Sequence, residues 1–258
     1  LDDGTTSRIG EEHFFMTTTT AEAAAVMSHI EYHLQVVWPD LDVKAASVTD
    51  EWAGIALAGP KSRDVLAAVV DGLDVSNEAL PFMGVRETAI GGVFARVFRV
   101  SFTGEVSYEI NVPASHGLAV WEALWEAGQA YGIAPYGTEA MHVLRAEKGF
   151  FIVGQETDGT VTPGDLGMGR GIANRADDFI GKRSQSVPDL AREGRKQLVG
   201  LLTEDPAILL EEGAHLVAEP DPTPGRTRAI GHVTSSYRSS AAGHSIALAM
   251  VEDGQSRH

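Results

Sequence analysis

The sequence predicts an α+β fold in two parts. The chain has 258 residues, which suffices for one large or two small domains, and 43% of them are hydrophobic, as in a folded protein. Helical and strand patterns mix as far as residue 190, whereas short strand-like segments with turns and no helix follow residue 195. We therefore expect a mixed domain over 1–190 and a small β-barrel or sandwich over 195–258.

The mixed part opens with aromatic and β-branched residues over 13–20, which predict a strand. Thr19 and Glu22 have the spacing of a capping box, so we predict a helix over 21–37 that ends before Pro39. The other elements predicted in this part are strands over 43–48, 51–58, 93–100 and 107–112 and helices over 60–70 and 138–148.

A further helix follows Pro113, with its buried side predicted to carry Leu118, Trp121, Leu124 and Trp125. A connection over 154–178, rich in Gly, Asp and Thr, is long enough to suggest a functional loop. Past the predicted boundary, the strand-like segments are 197–202, 215–217, 229–235 and 245–251.

The charge balance excludes several classes of partner. Twenty Lys and Arg stand against 36 Asp and Glu, a formal net charge of −16, so the chain lacks the basic footprint of a nucleic-acid binder and a polybasic membrane anchor. Its apolar runs are shorter than the roughly 20 residues that cross a bilayer. The absence of cysteine excludes disulfides and thiolate metal sites and fits a reducing compartment, so we expect a cytoplasmic protein without membrane or nucleic-acid partners.

The glycine and histidine motifs do not predict a nucleotide-binding or metal-binding site. Gly167–Gly171 is glycine-rich but lacks the preceding strand and following helix of a dinucleotide cradle. His29 and His33 have the spacing of a metal-ligating pair, yet no carboxylate completes an HExxH motif, so we expect no metal site.

Three positions could carry chemistry. The adjacent carboxylates Asp2 and Asp3 suit a turn, which the residues alone favour, or an acid–base group. Glu109, in the middle of a strand, could face water or accept two parallel N–H donors. Arg145 could be a surface helix charge or could orient a carboxylate, either that of a ligand or that of Glu109.

Several motifs resemble those of the aminomethyltransferases, the glycine cleavage T-protein family, which binds tetrahydrofolate. The segment 103–110 (TGEVSYEI) resembles the family's TGE strand, and 178–182 matches its DFIGK segment. Leu1–Asp3 resembles its IDD motif, which carries the catalytic aspartate. The blocks 144–149, 154–158, 198–201 and 245–249 follow in the family's order.

Within this family, the segments 32–43, 52–60, 80–87 and 145–163 resemble the α subunits of heterotetrameric sarcosine oxidases. That resemblance implies an N-terminally truncated folate-binding domain over 1–190 and a β-barrel domain over 195–258. It also implies that FAD, FMN and NAD bind only elsewhere in the intact enzyme. The residues 140–142 (AMH) depart from the ARD triplet of true T-proteins, which favours the sarcosine oxidase branch.

The resemblance implies transfer of the one-carbon unit of oxidised sarcosine to tetrahydrofolate, giving 5,10-methylenetetrahydrofolate. Asp2 would be the catalytic carboxylate, and Glu109 would accept N–H groups of the pterin. Arg145, Phe102 and Asp3 would complete the cofactor site, with Phe102 replacing the family's Tyr and lacking its hydroxyl. The partners would be folate and the other subunits of the oxidase. Two alternatives are a stand-alone aminomethyltransferase acting on a lipoyl carrier and a non-catalytic folate-sensing module.

Overall fold

A four-stranded antiparallel sheet organises each half of the chain. The computed structural model describes residues 1–173, 175–220, 223, 225 and 227–257. These residues form two units, one over 1–136 and one over 137–258. The helix and long connection that follow residue 137 thus group with the second sheet, and the predicted domain boundary between 190 and 195 stays a prediction.

The first unit contains a two-stranded hairpin and a sheet of order β3-β6-β5-β4. Its strands are β1 (Gly4–Arg8), β2 (Phe14–Thr18), β3 (Trp52–Ala58), β4 (Val85–Ile90), β5 (Val93–Phe98) and β6 (Ser107–Pro113). Its helices are α1 (Ala23–Tyr32), continued by a π-helical turn over His33–Val37, α2 (Ser62–Val69) and α3 (Gly117–Gly128).

The core of the first unit lies between one face of the sheet and helices α2 and α3. Alternate residues of β6 point into it, and Tyr108, Ile110 and Val112 are fully buried, which confirms the predicted alternation. Leu66 of α2 and Leu124 of α3 pack against them. Because successive strand side chains point to opposite faces, Glu109 lies on the other face of this sheet.

The predicted buried side of α3 is partly wrong. Leu124 is buried, but Leu118 is 70% exposed and Trp121 is 45% exposed. The helix instead packs through residues spaced by four, which include Val120 and Gly128. A Cβ atom at Gly128 would lie 2.6 Å from the side chain of Ile133, so close packing at this glycine sets the rotation of the helix and turns the tryptophans outward.

Three local predictions in the first unit are also wrong. No capping box forms, because the backbone and hydroxyl of Thr19 both donate to Asp2 and leave Glu22 without a side-chain cap partner. Residues 43–48 are not a strand. Asp2 and Asp3 do not form a turn but lead directly into β1. Strands β1 and β4 were not predicted from the sequence.

The second unit carries a sheet of order β7-β10-β9-β8, and its four predicted strands are confirmed. Helix α4 (Thr138–Glu147) packs on this sheet through Ala146, which contacts Tyr237 and Leu248, and Gly149 follows its C-terminus with φ +73°. The strands are β7 (Lys196–Leu202), β8 (His215–Val217), β9 (Ala229–Ser239) and β10 (His244–Glu252), and the helices are α4 (Thr138–Glu147), α5 (Gly169–Ala173) and α6 (Pro188–Ala191).

An ion pair fastens the long connection of the second unit to the start of β7. The guanidinium of Arg195 lies 2.6 Å from the carboxylate of Asp165, which is 3% exposed and also accepts the backbone N–H and the hydroxyl of Thr162. Burial alone would raise the pKa of Asp165, but the hydrogen bonds from Arg195 and Thr162 outweigh it and lower that pKa. Within the part of the chain described, no helix is long and apolar enough to cross a membrane.

Candidate functional site

The β1–β2 hairpin packs on the sheet face that carries Glu109. Phe15 of β2 stacks on Phe98 of β5 with ring centroids 5.8 Å apart and meets Trp52 of β3 edge-on at 5.7 Å. Phe98 is the direct cross-strand partner of Glu109, and opposite residues of an antiparallel pair share a face. The hairpin that begins after Asp2 and the strand that carries Glu109 therefore meet on one side of the sheet.

Arg96 strengthens this junction. Its guanidinium carbon lies 4.8 Å from the ring centre of Phe15 and 4.5 Å from that of Trp52, and its Nε donates to the carboxylate of Glu87 at 2.9 Å. Cation–π contacts of this kind are typically worth about 0.5–2 kcal/mol each. Arg96 thus holds the hairpin to the sheet through the aromatic ring of Phe15.

Asp2 has one engaged and one free carboxylate oxygen. Its Oδ2 accepts the backbone N–H of Thr19 at 2.9 Å and the Thr19 hydroxyl at 3.0 Å. Its Oδ1 is buried and has no hydrogen-bond partner among the described residues. A carboxylate held through one oxygen, with a second oxygen that is buried and unpaired among the described residues, has the orientation suited to proton transfer or to pairing with a bound group.

Glu109 is a half-buried carboxylate without a hydrogen bond or an ion pair from any described side chain. Burial raises its pKa above the ordinary value, so its strand face is only partly exposed to water. Burial and the charge of Glu109 raise the pKa of the Tyr136 hydroxyl, which places Tyr136 within electrostatic reach of this carboxylate. A partly desolvated acceptor without a side-chain partner among the described residues is suited to a ligand with N–H donors.

Two other predicted site residues also lie in the first unit. Asp3 stands next to Asp2, and desolvation followed by the Asp2 charge raises its pKa. Phe102 is half-buried in the loop between β5 and β6, the loop that carries the TGE motif and turns through Gly104 with φ +77°. Their contact with a cofactor stays a prediction.

Arg145 lies in the second unit and is 0% exposed, so the interpretation as a surface helix charge is wrong. Its guanidinium donates to the carboxylate of Glu156 at 3.0 Å, to the Ser235 hydroxyl at 2.6 Å and to the Phe150 carbonyl at 3.0 Å. Glu156 is likewise buried and accepts the Ser235 hydroxyl at 2.5 Å and the backbone N–H of Ile152 at 2.7 Å. Only the Nε of Arg145 is buried without a partner among the described residues.

Sequence reasoning missed Glu156 and Tyr136. Glu156 is the carboxylate that Arg145 contacts, and it stands in the segment 154–158, which had been noted only as a family block. No pattern singled out Tyr136, whose relation to Glu109 arises from the fold and not from spacing. Direct contact of Arg145 with a cofactor stays a prediction.

Two family models together cover most of the chain. The model described as the GCVT N-terminal domain matches residues 1–175. The model of the glycine cleavage T-protein C-terminal barrel domain matches residues 196–258.

The chain belongs to the glycine cleavage T-protein family. The fold resembles a solved structure, that of the glycine cleavage system aminomethyltransferase T from Bartonella henselae. It has a TM-score of 0.77 and 24% identity over 98% of this chain and 64% of its own. At that identity the likeness shows the fold, an aminomethyltransferase domain followed by a barrel-like domain.

Curated relatives of the T-protein family fall into two groups. The chain is 53% identical to the sarcosine oxidase subunit alpha of Corynebacterium sp. (strain P-1) over its whole length and 46% identical to that of Rhizobium meliloti (strain 1021). It is 30% identical to an aminomethyltransferase of Clostridium botulinum (strain Loch Maree / Type A3). The chain spans 27% and 26% of the two oxidase subunits and 66% of the aminomethyltransferase.

Proposed function

We propose that this chain is the folate-dependent one-carbon-transfer part of a sarcosine oxidase α subunit. The observation that carries the proposal is the identity gap: 46–53% to the oxidase subunits against 30% to the aminomethyltransferase, each over the whole chain. In such an enzyme a flavin bound elsewhere oxidises the N-methyl group of sarcosine to an imine. The region described here passes that carbon to tetrahydrofolate, giving 5,10-methylenetetrahydrofolate, and its partners are folate and the other oxidase subunits.

The acidic residues of the first unit fit tetrahydrofolate. Glu109 offers a desolvated carboxylate without a side-chain partner, the complement of neighbouring N–H donors on a pterin edge. Asp2 offers a buried oxygen that has no partner among the described residues. It precedes the hairpin that contacts the Glu109 side of the sheet. When bound, tetrahydrofolate supplies the nitrogen nucleophiles that receive the one-carbon unit.

The roles of the two carboxylates follow from their surroundings. Glu109 binds and orients, because its burial makes the charged form dependent on donors from a ligand. Asp2 acts at the reacting carbon, since its Oδ2 is fixed by Thr19 while its Oδ1 is free to take up a proton or to stabilise a developing cation. Asp3 and Phe102, in the same unit, complete the proposed site.

The test is Asp2→Asn in a sarcosine oxidase assembled with this region in its α subunit. Flavin reduction by sarcosine should stay unchanged, because that chemistry takes place elsewhere. The rate of methylenetetrahydrofolate formation should fall by about 10²–10⁴-fold, the usual contribution of a general acid or base, and free formaldehyde should rise in compensation. Asp40→Asn, at an exposed acidic position, is the matched control and should change neither product.

Two results would reject this assignment. Equal methylenetetrahydrofolate yields from Asp2→Asn and the parent would remove Asp2 from the chemistry. Transfer from an aminomethyl-lipoyl carrier, with no transfer from oxidised sarcosine, would instead identify a T-protein activity.

A further inference from the structure

Two arginines of the first unit converge on one acceptor. Arg63 of α2 and Arg99, which follows β5, both donate to the side-chain oxygen of Asn77, at 2.7 and 2.6 Å. Arg63 also donates to the Val75 carbonyl, and Arg99 donates to the Leu80 carbonyl at 3.1 Å. Backbone carbonyls and one amide thus hold two guanidinium groups side by side.

Neither guanidinium has a carboxylate within 4 Å among the described residues, although the chain carries 36 acidic residues. Other arginines of the chain, such as Arg96 and Arg195, do have one. Asp74 is an exposed acid whose charge reaches Arg63, and its carboxylate accepts the Ser76 backbone N–H at 2.8 Å. Two positive charges that donate to one oxygen lie close together and repel each other, so the arrangement gains from an anion that contacts both guanidinium groups.

A third polar residue, Tyr108, lies near Arg63. The hydroxyl of Tyr108 is buried and has no hydrogen-bond partner among the described residues, and the guanidinium carbon of Arg63 lies 5.9 Å from the centre of its ring. Tyr108 faces the α2–α3 side of the sheet, whereas Glu109 faces the hairpin side. The arginine pair is therefore separated by the sheet from the carboxylate proposed to bind the pterin.

We propose that Arg63, Asn77 and Arg99 form a binding site for the phosphate group of a small ligand. The two guanidinium groups carry two positive charges, which a phosphate close to −2 at neutral pH neutralises and a carboxylate does not. Planar guanidinium donors match phosphate oxygens two at a time, and the amide nitrogen of Asn77 adds a neutral donor. The half-buried arginines and the exposed asparagine leave the site open to solvent.

The experiment titrates the chain with inorganic phosphate, glycerol phosphate and acetate at constant ionic strength and measures heat and melting temperature. Saturable binding of phosphate, at least tenfold tighter than acetate, is expected. Arg63→Gln and Arg99→Gln should each raise the dissociation constant tenfold or more. If glycerol phosphate binds as tightly as inorganic phosphate, the result supports a phosphate ester as the ligand. If inorganic phosphate binds selectively, the result supports the free ion.

Two matched variants make the result decisive. Arg86→Gln removes an exposed arginine that also lacks a carboxylate partner among the described residues, and it should leave phosphate binding unchanged. Asn77→Asp keeps the acceptor oxygen and adds a negative charge, so it should abolish phosphate binding and raise the melting temperature without phosphate. No saturable binding by the parent, an equal loss in Arg86→Gln, or retained binding in Asn77→Asp would each overturn the proposal.

Discussion

Glu109 in the first unit is half-buried and Glu156 in the second is fully buried, and the groups around the two carboxylates differ. Glu156 is met by Arg145, by the Ser235 hydroxyl and by a backbone N–H. Glu109 has no partner from a described side chain, and burial raises its pKa. A buried charge costs folding free energy unless it is paired.

The difference separates a carboxylate that the fold itself pairs from one that we propose to bind a ligand. The second unit satisfies Glu156 internally and so joins α4 and the segment after it to β9. The first unit gives Glu109 no partner from a described side chain, which supports the proposal that a ligand with N–H groups pairs with it. A carboxylate without partners is the stronger indication of binding, because folding alone gives it no advantage.

The largest expected effect comes from breaking the second unit's buried pair. Arg145→Met or Glu156→Leu should each lower the free energy of unfolding by about 3–5 kcal/mol, because each leaves a buried charge uncompensated. The double variant should lose less than the sum of the two. Urea unfolding of the four proteins measures this.

Arg192→Ala is the control for the buried pair, since it removes an exposed ion pair with Asp189 and should leave the unfolding midpoint almost unchanged. Losses for Arg145→Met and Glu156→Leu as small as that of the control would show that the buried pair is not structural.

The next effect concerns ligand affinity. Glu109→Gln keeps the shape of the side chain but replaces an acceptor by a donor, so tetrahydrofolate binding should weaken by about 1.5–3 kcal/mol. The same variant should not destabilise the fold at neutral pH, because it removes a desolvated charge without partners.

Calorimetric titration and a melting curve measure the two quantities on each protein. Glu105→Gln, at an exposed position near β6, is the matched control. Unchanged affinity in Glu109→Gln would remove this residue from the site.

The smallest effect is on the pH dependence of stability, to which Glu109 and Asp165 contribute with opposite signs. The raised pKa of Glu109 penalises the folded state at neutral pH, and this penalty disappears as pH falls through that pKa towards the ordinary value. The lowered pKa of Asp165 contributes stability above its ordinary value, and that contribution is lost as pH falls through the lowered pKa.

Unfolding free energies between neutral and acidic pH test these signs. Glu109→Gln should flatten a gain in stability on acidification, and Asp165→Asn should flatten a loss. The same slope change in both variants would contradict the assigned directions.

Much of the fold could be predicted from the sequence, because the strands of the second unit and β6 show alternation or turn residues that act locally. The rotation of α3 could not, since it depends on how closely Gly128 approaches Ile133. The site was proposed through family motifs that include Asp2 and Glu109. The partners of the site residues depend on the tertiary fold and could not be predicted. Thr19 donates to Asp2 instead of capping a helix, and Arg145 forms an ion pair with Glu156.

The contact of Phe15 with Phe98 and Arg96 has a consequence for comparing relatives. The hairpin that follows the acid at position 2 is held to the sheet through the aromatic ring of Phe15. A homologue could keep both carboxylates and yet lose turnover through a change to a small residue at position 15. A survey that scores only the acidic positions would count such a homologue as active, so the aromatic position belongs in the signature by which active members are recognised.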